Sequence, residues 1–214
     1  MVSLAQSAEW LAAIIAIAAL FTPLRKSAGI LLLYIIYCTL QDYCSRFAGM
    51  RINGGTTSNH YYYNLCYIFE MLLLIGASYA WIGHRKIHLA LAVLWVTIAI
   101  ANIAFGQGLW IMNTYSLIVG YMISSGLAIW HMWKLSNEEQ QDNISKTGRY
   151  IIWVGILIAC LFSMAYRVAK PLTNYDNKVL FNSIIRTAAI IKYTLLAIGI
   201  VFLWRHQRIA VQYG

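Results

Sequence analysis

Charge is what this sequence has least of. Only 11% of its 214 residues are Asp, Glu, Lys or Arg, and 61% are hydrophobic, whereas a soluble globular domain carries about 25% charged residues. Water is the wrong solvent for such a chain. Acid is scarcest, with seven Asp and Glu against sixteen Lys and Arg. The resulting charge of +9 does not point to nucleic acid, because the basic residues stand singly or in pairs between apolar runs rather than along one face of a soluble element. Lys and Arg are missing from the stretch Met1 to Trp10, so there is no positively charged n-region, and the first apolar segment is expected to be retained. Proline is nearly absent, Pro23 falling at the very end of the first apolar run and Pro171 beyond the sixth, which leaves the spanning segments unbroken. No Walker loop, Gly-x-Ser-x-Gly, His-Glu-x-x-His or Cys-x-x-Cys occurs, so ATPase, hydrolase and zinc chemistries lose their usual support.

Repeated apolar runs of roughly 20 residues, each long enough to cross a bilayer core, fill the chain. Seven can be drawn, at about 4–24, 28–48, 61–83, 88–106, 109–133, 150–169 and 180–204. The expected fold is all-α: a polytopic membrane protein in which residues 1–214 form a single seven-transmembrane-helix bundle. A membrane barrel is not expected, because runs such as Ile30 to Ile36 and Ile151 to Leu161 do not alternate apolar with polar residues. Pro23 with Arg25 and Lys26, Asn53-Gly54-Gly55-Thr56-Thr57, His84-Arg85-Lys86, Gly106-Gln107-Gly108, Ser136 to Gly148 and Pro171 to Asn177 supply the breaks. Trp95 alone among the tryptophans falls mid-segment, the rest sitting near segment ends as interface anchors do. The four cysteines lie in or beside apolar runs and read as free thiols, Cys44 and Cys66 being the one pair that could bridge.

Orientation follows from the loop cations. Arg25, Lys26, Arg85, Lys86, Lys134, Lys146, Arg149, Arg205 and Arg208 gather on one side, and Arg46, Arg51, Arg167, Lys170 and Lys178 on the other. The richer side faces the cytoplasm, so the N-terminus is expected outside and the C-terminus inside.

An ionised group at membrane depth costs at least about 2.5–3.5 kcal/mol, so it normally faces a partner or a wet cavity. Glu9, Asp42, Glu70, Arg186 and Lys192 are the residues so placed. His60, Tyr63, Tyr67 and Glu70 recur at spacings of three or four and form one stripe on the third segment. On the seventh, Asn182, Arg186 and Tyr193 share a face, with Lys192 about 120° from Arg186. Counted from the outer end, Glu70 lies between Arg186 and Lys192 in depth, so it can pair with either. Asp42 and Arg46 have the i,i+4 spacing of an ion pair, and Asn64, Asn102 and Asn113 each need a hydrogen-bond partner in lipid. Glu70, Tyr63, Tyr67, Asn64, Asn113, Gln41, Arg186 and Lys192 are therefore the candidate ligand-binding residues of an outward-facing polar pocket. Interhelical glue is the alternative role for each of them. His84 and His88 have metal-pair spacing but flank Arg85 and Lys86, so no metal is expected there.

Seven segments with a mid-helix lysine in the last and a carboxylate in the third resemble the retinal-binding rhodopsins, and that resemblance would imply retinal bound through Lys192 with Glu70 as counterion. The pattern departs from it, since Ala188 stands where microbial rhodopsins usually have Asp, and Glu70 is not in an Arg-Tyr-x-Asp-Trp setting. The stretch Asn64-Leu65-Cys66-Tyr67-Ile68-Phe69-Glu70, followed by Asn113-Thr114-Tyr115-Ser116, resembles an uncharacterised family of bacterial seven-helix inner-membrane proteins. That resemblance implies a multi-pass protein of the bacterial inner membrane and no particular activity.

The expected function is that of a membrane-embedded sensor or receptor component, with a small-solute transporter and a retinal photoreceptor as alternatives, and an enzyme as the less favoured class. Glu70-Met71-Leu72-Leu73-Leu74-Ile75-Gly76 faintly echoes Lys192-Tyr193-Thr194-Leu195-Leu196-Ala197-Ile198-Gly199, as an inverted repeat would, and that favours transport. Unbroken helices favour a sensor. The expected partners are the lipid bilayer, a small ligand, and a separate signalling protein docked on the loop Ser136 to Gly148.

Overall fold

The computed structural model describes residues 4–45, 50–52, 56–112, 114–137, 143–169 and 178–213. Seven α-helices carry these residues: α1 Leu4–Leu20, α2 Arg25–Ser45, α3 His60–Ile82, α4 Arg85–Ala101, α5 Thr114–Asn137, α6 Asn143–Ala169 and α7 Lys178–Tyr213. Five stretches, Arg25–Ser45, His60–Ile82, Arg85–Gly106, Lys146–Val168 and Ser183–His206, are long and apolar enough to cross a membrane, while α1 is a shorter apolar helix. The chain is a membrane-embedded helical protein.

The link between α2 and α3 was expected only as a glycine-rich break. It carries a small antiparallel hairpin, β1 Met50–Ile52 with β2 Thr56–Ser58, in which Arg51 pairs with Thr57. Ile52 on one side of Asn53-Gly54-Gly55 and Thr56 and Thr57 on the other are the β-branched residues of the strands.

Local chemistry ends the helices where the sequence breaks. Pro23 cannot continue α1, and the Thr22 hydroxyl donates to the Ala19 carbonyl at 2.7 Å. At the end of α3, Gly83 takes the left-handed conformation with φ 82° and returns its N–H to Tyr79. The ammonium of Lys134 covers another terminal carbonyl, that of Ile82, at 3.3 Å. Past α4 the chain widens into a π-helical turn, Asn102–Gly106, after which Gly108 adopts φ 78°.

Packing contacts join α1 to α2, α2 to α3, α3 to α5, α5 to α6, α6 to α7 and α7 back to α1, a closed ring of six helices. Helix α4 packs outside this ring on α3 and α5. It buries little beyond His88, Trp95 and Ala99, so most of its surface is apolar and outward, as a bilayer solvent permits. Glycines set the closest approach. A Cβ built on Gly199 would lie 2.8 Å from the Gly148 carbonyl, and one on Gly155 would lie 2.9 Å from Leu195 Cβ, so α6 and α7 meet backbone to backbone.

The end of the ring away from the hairpin is solidly filled. Trp153 is fully buried and stacks on His131 with centroids 3.9 Å apart, and Trp81 meets both rings edge-on. The hydroxyl of Ser78, also fully buried, lies 2.9 Å from Nε2 of both His88 and His131. His88 Nδ1 lies 2.8 Å from the His84 carbonyl, an acceptor only, so the proton of a neutral imidazole sits on Nδ1. Its Nε2 then accepts from Ser78, whose oxygen in turn accepts from His131. Both ring nitrogens of His88 are thus engaged, and His84 and His88 pack against Trp130.

Candidate functional site

The other half of the ring is hollow. A cavity of about 450 Å³ lies between α2, α3, α5, α6 and α7. Pockets that hold small molecules usually measure about 300–1,000 Å³. The part toward the hairpin and the α4–α5 link is lined by Gln41, Asp42, Tyr63, Asn64, Met112, Tyr166 and Arg167. Its floor is made by Tyr34, Cys38, Glu70, Leu74, Ser124, Ile156, Lys192 and Tyr193.

On that floor Lys192 Nζ lies 3.7 Å from Glu70 Oε1, with the two side chains 15% and 18% exposed. A direct charge-assisted hydrogen bond would be about 2.7–2.9 Å, so this is a loose Coulombic pair, and both residues line the cavity. The thiol of Cys38 donates to the same carboxylate oxygen at 3.4 Å. The ammonium also stands 5.1 Å from the ring centroids of both Tyr34 and Tyr193, within the range of cation–π attraction. Lys192 is therefore held by one carboxylate and two aromatic faces rather than dissolved in hydrocarbon.

Behind the floor, Glu9 of α1 is 8% exposed and borders Asp42 and Tyr193. Its Oε1 has no hydrogen-bond partner among the described residues. The same holds for Gln41 Oε1 and for the hydroxyl of Tyr67. Gly120 makes room for that phenol, since a Cβ there would come within 3.1 Å of Tyr67 and of Trp95. Trp95, fully buried, meets the Tyr67 ring edge-on at 5.5 Å and donates its indole N–H to the Ile68 carbonyl at 3.4 Å.

The structure brings Gln41, Tyr63, Asn64, Tyr67, Glu70 and Lys192 to one cavity. Some of their polar atoms are already committed. The Tyr63 hydroxyl donates to Ser45 Oγ at 2.8 Å, and the Asn64 amide donates to the carbonyls of Leu109 and Ile111, both at 2.8 Å. Asn64 thereby ties α3 to the link between α4 and α5. Arg186 is exposed and absent from the cavity lining, so of the two bases it is Lys192 that pairs with Glu70. Asn113 lies outside the described residues, as does Arg46, the proposed partner of Asp42. All four cysteines are free thiols, and Cys38 and Cys160 both line the cavity.

Tyr34, Tyr121, Cys160 and Arg167 line the cavity and were not among the candidate site residues. Tyr34 is a platform for the lysine only because α2 and α7 face each other across the cavity floor. Tyr121, Cys160 and Arg167 lie on segments whose apolar runs showed no polar stripe. Their shared wall depends on how α5 and α6 are rotated, which spacing within one helix does not reveal.

Comparison with family models, with curated proteins and with solved structures finds no match for this chain.

Proposed function

We propose that this protein is a membrane-embedded sensor or receptor component that binds a small polar ligand in the cavity above the Glu70–Lys192 pair. The observation that carries this reading is the pair itself, loosely joined at 3.7 Å and facing a cavity of about 450 Å³. A purely structural ion pair gains most from tight geometry, whereas this one is loose and both its residues line a cavity. The packed half of the ring around Trp153, His131 and Ser78 favours a bound ligand over free passage. Ligand entry at one end and a closed opposite end suit a receptor that reports binding through helix movement.

All seven helices span the membrane in this reading, with the N-terminus and the hairpin outside and the C-terminus inside. The loop cations support that orientation, and the resemblance of the Asn64 to Glu70 stretch supports a bacterial inner membrane. The links are too short to hold an output domain, so a separate signalling protein docks on the cytoplasmic link between α5 and α6. Residues 138–142 of that link lie outside the described residues.

The test uses purified protein in lipid vesicles. A panel of small polar solutes is screened by intrinsic tryptophan fluorescence, which reports on Trp95 against Tyr67, and each hit is repeated on Glu70→Gln. Saturable binding that weakens at least tenfold in Glu70→Gln, with no solute flux, is expected. Solute flux would replace the receptor with the transporter, and a visible band on adding retinal, lost in Lys192→Ala, would replace it with the photoreceptor.

A further inference from the structure

We propose that Arg167 is the anion-recognition residue of this cavity, and that its occupant is a small organic carboxylate carrying at least one hydroxyl or ammonium donor. The proposal rests on the cavity being a ligand site and specifies what it takes.

Arg167 lies in the last turn of α6, and its side chain lines the cavity. The guanidinium rests over the ring of Tyr166, 5.7 Å from the centroid, and its charge stands near Tyr121, another lining residue. Among the described residues Arg167 makes no ion pair. Unlike lysine, a guanidinium cannot shed its charge to suit its surroundings. A cation on the wall of a membrane cavity takes its counter-charge from water or from what enters. Its planar fork of donors matches a carboxylate in two parallel hydrogen bonds.

Gln41, which supplies the second half of the specification, is on α2, opposite α6 in the ring. It is 5% exposed, lines the same cavity, and has a side-chain carbonyl with no hydrogen-bond partner among the described residues. Buried acceptors are nearly always satisfied, and an acceptor calls for a donor. An anion at Arg167 and a hydroxyl or ammonium at Gln41 describe one molecule lying across the cavity. The floor is a separate pole: Cys160, which neighbours Lys192, is seven residues before Arg167 on α6, about 10 Å at 1.5 Å per residue.

The experiment is calorimetric titration of the full chain in phosphatidylcholine nanodiscs, a lipid without net headgroup charge, with malate, glutamate and 4-aminobutyrate, each against its primary amide. At least one carboxylate is expected to bind saturably and its amide not to bind. Arg167→Gln is expected to weaken that binding at least tenfold, with Arg167→Lys intermediate and Arg186→Gln at wild-type affinity. Gln41→Leu is expected to erase the preference for donor-bearing acids over unsubstituted ones such as butyrate. Folding of each variant is checked by size-exclusion profile, and Arg167→Lys keeps the charge should Arg167→Gln aggregate. Equal binding of acid and amide, wild-type affinity in Arg167→Gln, or no binding of any carboxylate overturns the proposal. A solute whose binding depends on Glu70 but not on Arg167 would leave the cavity reading standing and remove this one. Binding indifferent to both residues would remove both.

Discussion

Lys192 can be tolerated at membrane depth either by reaching the interface along its aliphatic stem or by meeting a counter-charge. It takes the second route, with Glu70 at 3.7 Å and the faces of Tyr34 and Tyr193 at 5.1 Å. Lys192→Met strands the carboxylate and should lower stability by about 3 kcal/mol, the order found when one member of a buried pair is removed. Glu70→Gln/Lys192→Met together should recover part of that loss. Unfolding monitored in detergent would then give a coupling between positions 70 and 192 within the usual range of about 0.5–3 kcal/mol for residues in contact. Positions 70 and 186 should add without coupling, because Arg186 faces away from the cavity. At the packed end, Ser78→Ala removes the hydroxyl that bridges His88 and His131 and leaves ring nitrogens unsatisfied, a cost of about 1–3 kcal/mol readable as a fall in melting temperature. Ser78→Thr, which restores a hydroxyl, should lose less.

The helices were legible in the sequence because a bilayer demands long apolar runs, and the breaks after the first and fourth because Pro23 and Gly108 suit turns that a helix does not absorb. The hairpin was not, since three-residue strands leave too little periodicity to read. The depth match between Glu70 and the bases of α7 could be counted from spacing. The choice of Lys192 over Arg186 could not, because it depends on the rotation of α7 against α3. The knot of Ser78, His88 and His131 draws one residue from each of three helices, so no single helix announces it. Close packing of α6 on α7 through Gly148, Gly155 and Gly199 is similarly a property of the pair. Gly199→Leu would drive a side chain into the Gly148 carbonyl and Ile152, and should destabilise the bundle by about 1–3 kcal/mol or more. Gly29, whose surroundings are open, should accept alanine with little change in melting temperature.

The molecule as a whole is divided into a hollow half and a filled half, with α4 as an outrigger. At 36 residues α7 is about 54 Å long, well beyond a hydrocarbon core of about 30 Å, so the helix is longer than a single crossing needs. Single cysteines introduced at Thr57 and at Gln207, in a background where the native thiols are replaced by serine or alanine, test the proposed orientation. In intact cells an impermeant maleimide should label the first and not the second; the reverse pattern would invert the topology and turn the cavity mouth to the cytoplasm. The most direct measurement is an experimental density map of the protein in a lipid nanodisc, fine enough to place the Glu70 and Lys192 side chains. The expected result is a carboxylate and an ammonium within about 4 Å, the usual limit for an ion pair, facing an enclosed space between α2, α3, α5, α6 and α7. A Glu70 side chain turned toward acyl chains, or a Lys192 remote from it, would contradict the proposed binding site.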